Sequence, residues 1–308
     1  MKVLVTGSSS HLACALLPRL AAHPDVEQIL GVDLRPPVFR DPRYTHVLCD
    51  VRSAQLARLM TGIDAVVHLA FVVMHGELGP ERHDRDLIRD INLAGGQNVF
   101  RTAAAARVAA VVHLSSAAVY ELPARERPIP EAHPRKPLPG FAYAEDKIAL
   151  EDWLDAFERE HREIRVARLR PHVIVGPHAQ PYLRALVRAP FYVRLSDPAP
   201  RLQVVHEADV VAAILAALTR DVSGAFNLAA ADAATLRELK PLALPLPFPL
   251  ARAVVRLGWR FGRGTEPAWL EGLRHELVLD TSRARRRLGW RPRYDTAAGC
   301  IKAIDEEG

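Results

Sequence analysis

Three side chains near the middle of the chain have the types and spacing for proton chemistry on an alcohol: Ser116, Tyr143 and Lys147. Tyr143 and Lys147 stand four residues apart in Tyr143-Ala-Glu-Asp-Lys147, so on a helix they point the same way. An ammonium beside a phenol favours phenolate and draws a pKa of about 10 toward neutrality. Such a tyrosine takes or returns the proton of a secondary alcohol while a hydride moves between carbon and a nicotinamide. Ser116 would hydrogen-bond the same substrate oxygen as charge shifts on it. A lone Tyr-x-x-x-Lys is common and more often a helical packing pair. Here it follows the Ser115-Ser116 pair at a strand end and opens the next helix, which favours the chemical reading.

The elements that must hold this trio alternate in period. Apolar runs at residues 3–5, 28–32, 45–49, 65–69, 109–114 and 165–169 read as strands, two of them continuous enough for burial on both faces of a parallel sheet. Residues 12–20 and 87–106 read as helices between them. Parallel strands need crossover connections, so the order predicts an α/β fold: a Rossmann-like, doubly wound parallel sheet. That sheet domain is expected over residues 1–170. A smaller C-terminal substrate-binding lobe is expected over residues 171–308, interleaved with the first through a strand near 201–206 and a helix at 207–219. Residues 121–140 hold six prolines and read as a long surface loop. A second Pro-rich stretch at 241–249 leads into a helix at 250–261. That apolar segment reads first as core and dimer packing, second as a greasy entrance for a steroid-like or prenyl-like alcohol.

Where the first strand gives way to the first helix, Thr6-Gly7-Ser8-Ser9-Ser10-His11-Leu12-Ala13 occupies the place at which helix N-terminal amides hold a pyrophosphate. A dinucleotide fingerprint would put glycines at positions 7, 10 and 13, and only Gly7 is present. Asp33, 26 residues after Gly7, ends the second strand where a carboxylate accepts from ribose hydroxyls, which favours NAD; Arg35 nearby leaves NADP open. Asp50 ends the third strand, in position to meet an adenine amino group.

Composition closes other doors. Hydrophobic residues are 49% and charged residues 25% of 308, ordinary values for a globular protein with a real core. No apolar stretch reaches the ~20 residues of a bilayer span. The net charge of +5 comes from 36 arginines and five lysines against 36 acidic residues, without a clustered basic stripe of the kind nucleic acid demands. Cys14, Cys49 and Cys300 are odd in number and far apart, which fits reduced thiols and a cytoplasmic protein. No His, Cys or carboxylate group has metal-ligand spacing. His68, His113 and His206 read as strand-end residues satisfied by backbone partners.

With these residues in place, the chain resembles the extended short-chain dehydrogenase/reductase family, the NAD-dependent epimerase/dehydratase group. The matching pieces run along nearly the whole length. They include Gly31-Val-Asp33, Cys49-Asp-Val51, His113-Leu-Ser-Ser-Ala-Ala-Val-Tyr120, Leu169-Arg-Pro171 and Leu288-Gly-Trp-Arg-Pro292. By that resemblance Tyr143 is the acid/base, Lys147 holds the nicotinamide ribose and tunes Tyr143, and Ser116 polarises the substrate. Gly7, Ser9, Ser10, His11 and Leu12 would line the pyrophosphate, Asp33 the ribose, and Asp50 with Val51 the adenine. Leu69, Ala70 and Phe71 would wall the cofactor. Asn92 matches an asparagine whose structural and cofactor-site roles are equally open. Dehydratases of the group carry an Asp-Glu pair after the catalytic hydroxyl residue, whereas Ala117-Ala118 follows Ser116. Many sugar-nucleotide epimerases carry a phosphate-binding asparagine near position 172, where this chain has His172 as a candidate substrate contact.

The resemblance implies an NAD-dependent oxidoreductase or epimerase acting by hydride transfer at a secondary alcohol carbon, on a nucleotide sugar. The alternatives are a dehydrogenase of a hydrophobic alcohol and a non-catalytic cofactor-sensing or scaffold protein. It also implies a homodimer paired through the helices at 87–106 and 143–160.

Overall fold

The computed structural model describes residues 1–73 and 84–306. Its first half is the expected alternation. Strands β1 (Lys2–Thr6), β2 (Gln28–Asp33), β3 (Tyr44–Leu48), β4 (Ala65–His68), β5 (Ala110–Leu114) and β6 (Arg165–Pro171) are joined by helices α1 (His11–Ala21), α2 (Gln55–Leu59), α3 (Arg85–Arg89), α4 (Gly95–Ala105) and α5 (Ala142–Glu160). A π-helical turn at Asp90–Ala94 links α3 to α4. Beyond β6 come β7 (Ile174–Val175), α6 (Pro181–Arg188), β8 (Phe191–Arg194), β9 (Val205–His206), α7 (Glu207–Thr219) and β10 (Gly224–Leu228). The chain then forms α8 (Leu236–Leu239), β11 (Leu244–Pro247), α9 (Phe248–Arg260), α10 (Ala268–Gly272) and α11 (Ala297–Glu306).

Seven parallel strands form the central sheet in the order β10-β6-β5-β4-β1-β2-β3. The strand order reverses between β1 and β4, and the crevice beyond the carboxyl ends of such neighbours is where doubly wound sheets bind ligands. β4 and β5 carry the unbroken apolar runs because both their faces are covered. On one face Leu12, Leu16, Leu17 and Leu20 of α1 pack with Val210, Ile214 and Ala217 of α7. On the other, Phe100 of α4 meets Leu150, Leu154 and Phe157 of α5.

Three expectations are corrected. The helix at 207–219 does return to the sheet domain as α7, but the strand before it does not; β9 pairs with β7 in a separate two-stranded sheet, and the seventh strand of the main sheet is β10. The loop at 121–140 is anchored, not merely laid over the surface: Ile129 is fully buried and exchanges backbone bonds of 2.7 and 2.9 Å with Val278 and Asp280. The apolar segment at 241–261 is not core. α9 buries only Ala251, while Leu242, Leu244, Leu250, Val254, Leu257 and Phe261 are more than half exposed.

Candidate functional site

β5 ends at Leu114, and the chain turns at once into a short 3₁₀ helix at Ala117–Val119 that Ser116 caps, its hydroxyl accepting from the Ala118 N–H at 3.1 Å. α5 begins at Ala142, its first amides held by the buried Glu266: the Ala142 N–H donates to this carboxylate at 2.6 Å and the Tyr143 N–H at 3.5 Å. Starting there, α5 turns Tyr143 and Lys147 toward the end of β5. Ser116 stands close enough to the Tyr143 phenol to favour its ionisation, and the Lys147 amine lies 5.9 Å from the Tyr143 ring centroid. The structure thus brings the three sequence-predicted residues together across 31 positions of chain.

Their electrostatics differ from the simple expectation. Lys147 is buried, donates to the Leu114 carbonyl at 2.7 Å and sits 3.7 Å above the centroid of the Phe71 ring. Burial lowers its pKa to about 7, against the raising influence of Glu151 and Asp146. Burial also raises the Tyr143 pKa, and the group that pulls it back down is Ser116. Loss of water penalises both charged forms, so in the protein alone desolvation outweighs the ammonium's pull on the phenol.

The crevice beside this trio fits a dinucleotide. Gly7 lies at φ +70°, and a Cβ there would come within 2.6 Å of the Ala70 nitrogen, so the β1–α1 turn closes against the β4 end only because residue 7 has no side chain. Ser10 caps α1 by accepting from the Ala13 N–H at 3.4 Å. The first turn of α1 contains no acidic residue, which leaves the positive helix end open to a pyrophosphate lined by Ser9, Ser10, His11 and Leu12. Asp33 accepts from the Ser9 N–H at 2.9 Å and faces the Arg35 guanidinium at 3.3 Å, so Arg35 is already engaged by the carboxylate that would take the ribose. Asp50 and Val51 follow β3, and Arg52 binds Asp50 at 2.6 Å, holding its carboxyl below the usual range. Leu69 and Ala70 follow β4, their N–H groups donating to Thr6 at 3.0 and 3.5 Å; Phe71 comes next, its ring edge-on to Tyr143 at 5.3 Å.

A model of the NAD dependent epimerase/dehydratase family matches residues 3–229, which takes in the crevice and the trio alike. The chain belongs to this family. An uncharacterized protein of Mycobacterium tuberculosis is 26% identical over 318 residues, 99% of this chain and 82% of that protein. UDP-glucose 4-epimerase of Thermotoga maritima, solved with UDP-glucose, shares the fold at TM-score 0.76 and 18% identity, covering 100% of this chain and 99% of the other. UDP-glucuronic acid 4-epimerase of Bacillus cereus, solved with NAD, does so at TM-score 0.74 and 18% identity, with the same coverage.

This family member is an NAD-dependent enzyme acting by hydride transfer at a secondary alcohol carbon. Bound in the crevice, NAD would supply the acceptor and donor of that hydride. The rest of the chemistry falls to the chain. By the resemblance, Tyr143 would hold and return the hydroxyl proton, Ser116 would hydrogen-bond the reacting oxygen, and Lys147 would offer the cofactor ribose its buried amine.

Other predicted residues have narrower positions. Asn92, buried in the π turn, accepts from the Val72 N–H at 2.7 Å and donates to the Val72 carbonyl and to Asp146, both at 3.0 Å. It is a clamp on the backbone next to Phe71, so its structural role is the one on display. His172 is buried and neutral, its pKa lowered to about 4 by burial, with Nδ1 accepting from the Val173 N–H at 2.7 Å. His206 caps α7 through the Ala208 N–H, as the backbone-satisfied reading has it. His68 instead bonds the Thr6 hydroxyl at 2.7 Å, and His113 stacks on His68 at 5.3 Å with neither ring nitrogen hydrogen-bonded.

Sequence reasoning missed three residues of the enzyme's site. Trp269 of α10 packs on Tyr143 with ring centroids 4.9 Å apart, and Glu266 caps α5. Tyr182 of α6 has its pKa raised to about 12, first by burial and then by the nearby Tyr143. All three arrive from the C-terminal lobe, and no local pattern marks them. Among the described residues no group of His, Cys, Asp and Glu could hold a metal, and no helix is long and apolar enough to cross a membrane.

Proposed function

We propose that the enzyme epimerises a nucleotide sugar, oxidising a ring hydroxyl and reducing the resulting ketone from the opposite face with the same NAD. The observation that carries this reading is the convergence of Ser116, at the end of β5, and Tyr143, at the start of α5, with the Lys147 amine buried 5.9 Å from the Tyr143 ring centroid. The fold shared with UDP-sugar epimerases supports the substrate class. Ala117 and Ala118, the residues that open the 3₁₀ turn after Ser116, favour epimerisation over dehydration, since elimination of water needs a second acid/base pair and neither alanine can supply a proton.

Incubation of the purified protein with NAD and a panel of UDP- and dTDP-sugars tests the proposal. The expected product is an isomer of unchanged mass, and Tyr143→Phe should slow its formation by about 10²–10⁴-fold without loss of NAD binding. A product lighter by one water, or full turnover by Tyr143→Phe, sinks it. The enzyme further pairs through α4 and α5, which lie side by side on one face of the sheet and present the partly exposed Trp153 with Arg101 5.5 Å over its ring. A monomeric mass at micromolar concentration would contradict this dimer. Its three free cysteines suit the reducing cytoplasm.

A further inference from the structure

The C-terminal lobe exposes what a globular surface ordinarily covers. Of twelve large hydrophobic side chains exposed among the described residues, eight fall between positions 186 and 261. All but Leu186, which lies on α6, fall in one sub-structure or the segment leading into it: β8 pairs in parallel with β11, α9 packs on both strands, and α8 packs on β8. Leu250, Val254, Leu257 and Phe261 recur at helical spacing and make one outward stripe on α9, with Leu242 and Leu244 immediately before it. A contiguous apolar surface of this kind marks an interaction site.

The charge around the stripe identifies its occupant. Residues 181–196 and 240–264 contain Arg184, Arg188, Arg194, Lys240, Arg252, Arg256, Arg260 and Arg263 and not one Asp or Glu. These eight cations exceed the +5 of the whole chain, so the remainder sums to 5 − 8 = −3. Net basic charge is thus concentrated in the sub-structure that carries the apolar stripe, with a second arginine run at residues 283–293. An apolar helix face flanked by arginines, with only Glu271 of α10 paired to one of them and Glu238 on α8 nearby, is the pattern of a helix lying in the plane of a membrane interface. A second protein with a stripe of leucines would not require the eight cations; an anionic lipid surface answers both features.

The surface is also firm. Lys240 Nζ donates to the carbonyls of Leu186, Ala189 and Phe191 at 2.8, 2.6 and 2.8 Å, fastening the end of α6 to β8. Arg252 of α9 pairs with Glu271 of α10 at 2.6 Å, and α10 places Trp269 on Tyr143. The exposed stripe is therefore tied through two helices to the reacting centre, with Tyr182 of α6 approaching Tyr143 from the same lobe.

We propose that α9 with the β8–β11 pair docks this enzyme peripherally on an anionic membrane surface, α9 lying in the interface with Leu250, Val254, Leu257 and Phe261 inserted and its arginines among the headgroups. The proposal stands apart from the choice of substrate. It is tested by co-sedimentation of the full chain with vesicles of phosphatidylcholine alone and of phosphatidylcholine with equal phosphatidylglycerol. Binding is expected to the anionic vesicles, to fall at least tenfold on the neutral ones and with added salt, and to fall at least tenfold in Val254→Glu/Leu257→Glu. Arg256→Glu/Arg260→Glu should weaken it comparably. Because these side chains are exposed, both double variants should keep the thermal transition of the parent. Equal binding to both vesicle types, or binding to neither, overturns the proposal. So does a Val254→Glu/Leu257→Glu protein that still binds vesicles but has lost self-association, since the stripe would then be covered by a second copy of the chain.

Discussion

The Trp269 ring packs against Tyr143 at 4.9 Å between centroids, with the planes inclined at 43°. Tyr143 opens α5 and Trp269 belongs to α10 of the C-terminal half, so a distant segment completes the wall around the Tyr143 ring. Phe141, 4.8 Å from Trp269 and 5.8 Å from Tyr143, closes the same aromatic cluster. Trp269→Ala should lower kcat/KM about tenfold by releasing the Tyr143 ring from its orientation, while Trp269→Phe keeps most of it. Steady-state kinetics on the identified sugar nucleotide checks this, and unchanged constants in the alanine variant would refute the positioning role.

Lys147 couples function to stability. Its folded pKa of about 7 lies below the 10.5 of a free lysine, so between those values the folded state binds fewer protons than the unfolded chain and stability rises with pH. Below pH 7 the folded protein carries a charged lysine in an apolar site and the penalty is complete. Lys147→Met should therefore melt higher than the parent at pH 6 by roughly several degrees, with the gap closing toward pH 10. It should at the same time weaken NAD binding, because the amine offered to the ribose is gone. A melting difference independent of pH would contradict the assignment.

Asp33 is expected to control cofactor choice through Arg35. The carboxylate takes the Ser9 N–H and holds the guanidinium at 3.3 Å. Asp33→Ser should cost NAD about tenfold in affinity through lost bonds to the ribose, and free Arg35 for a 2′-phosphate so that NADP binding improves. Calorimetric titration with both dinucleotides reads the ratio; an unchanged preference would place the ribose elsewhere.

His113 is expected to make the fold acid-sensitive. It stacks on His68 in the core, and burial drives its pKa well below 6.5, while His68 falls to about 3. Each histidine is neutral when folded and protonates freely when unfolded. The stability they allow is present above pH 6.5 and is lost as pH falls below that value. His113→Phe fills the same aromatic site beside Phe100 without an unbonded ring nitrogen. It should leave stability at pH 7 equal or higher and flatten the loss down to pH 4, as urea denaturation at the two pH values would report. An equally steep acid loss in the variant would exonerate this pair.

Buried charge elsewhere is handled by pairing. Glu151 is fully buried on α5, yet its pKa falls to about 2 because Arg170, Arg168 and Ser115 outweigh the desolvation that would raise it. The sequence shows these residues only as scattered polar positions in a helix and a strand, since nothing local says that α5 lies over β6.

Short-range physics made much of this protein legible from its sequence. Unbroken β-branched runs such as Ala65–His68 and Ala110–Leu114 have one stable home, a strand covered on both faces, and Tyr143 and Lys147 share a helix face by spacing alone. Gly7 and Asp33 likewise follow from where strands end. Tertiary structure alone decided what arrives from a distance in the chain: Glu266 on the first amides of α5, Trp269 and Tyr182 around the acid/base, and β10 instead of β9 at the sheet edge. It also reversed two inferences that treated residues in isolation. Desolvation, a property of the packed site and not of neighbouring residue types, set the Tyr143 and Lys147 pKa values, and the apolar helix at 248–260 proved to be surface because nothing among the described residues packs over its stripe.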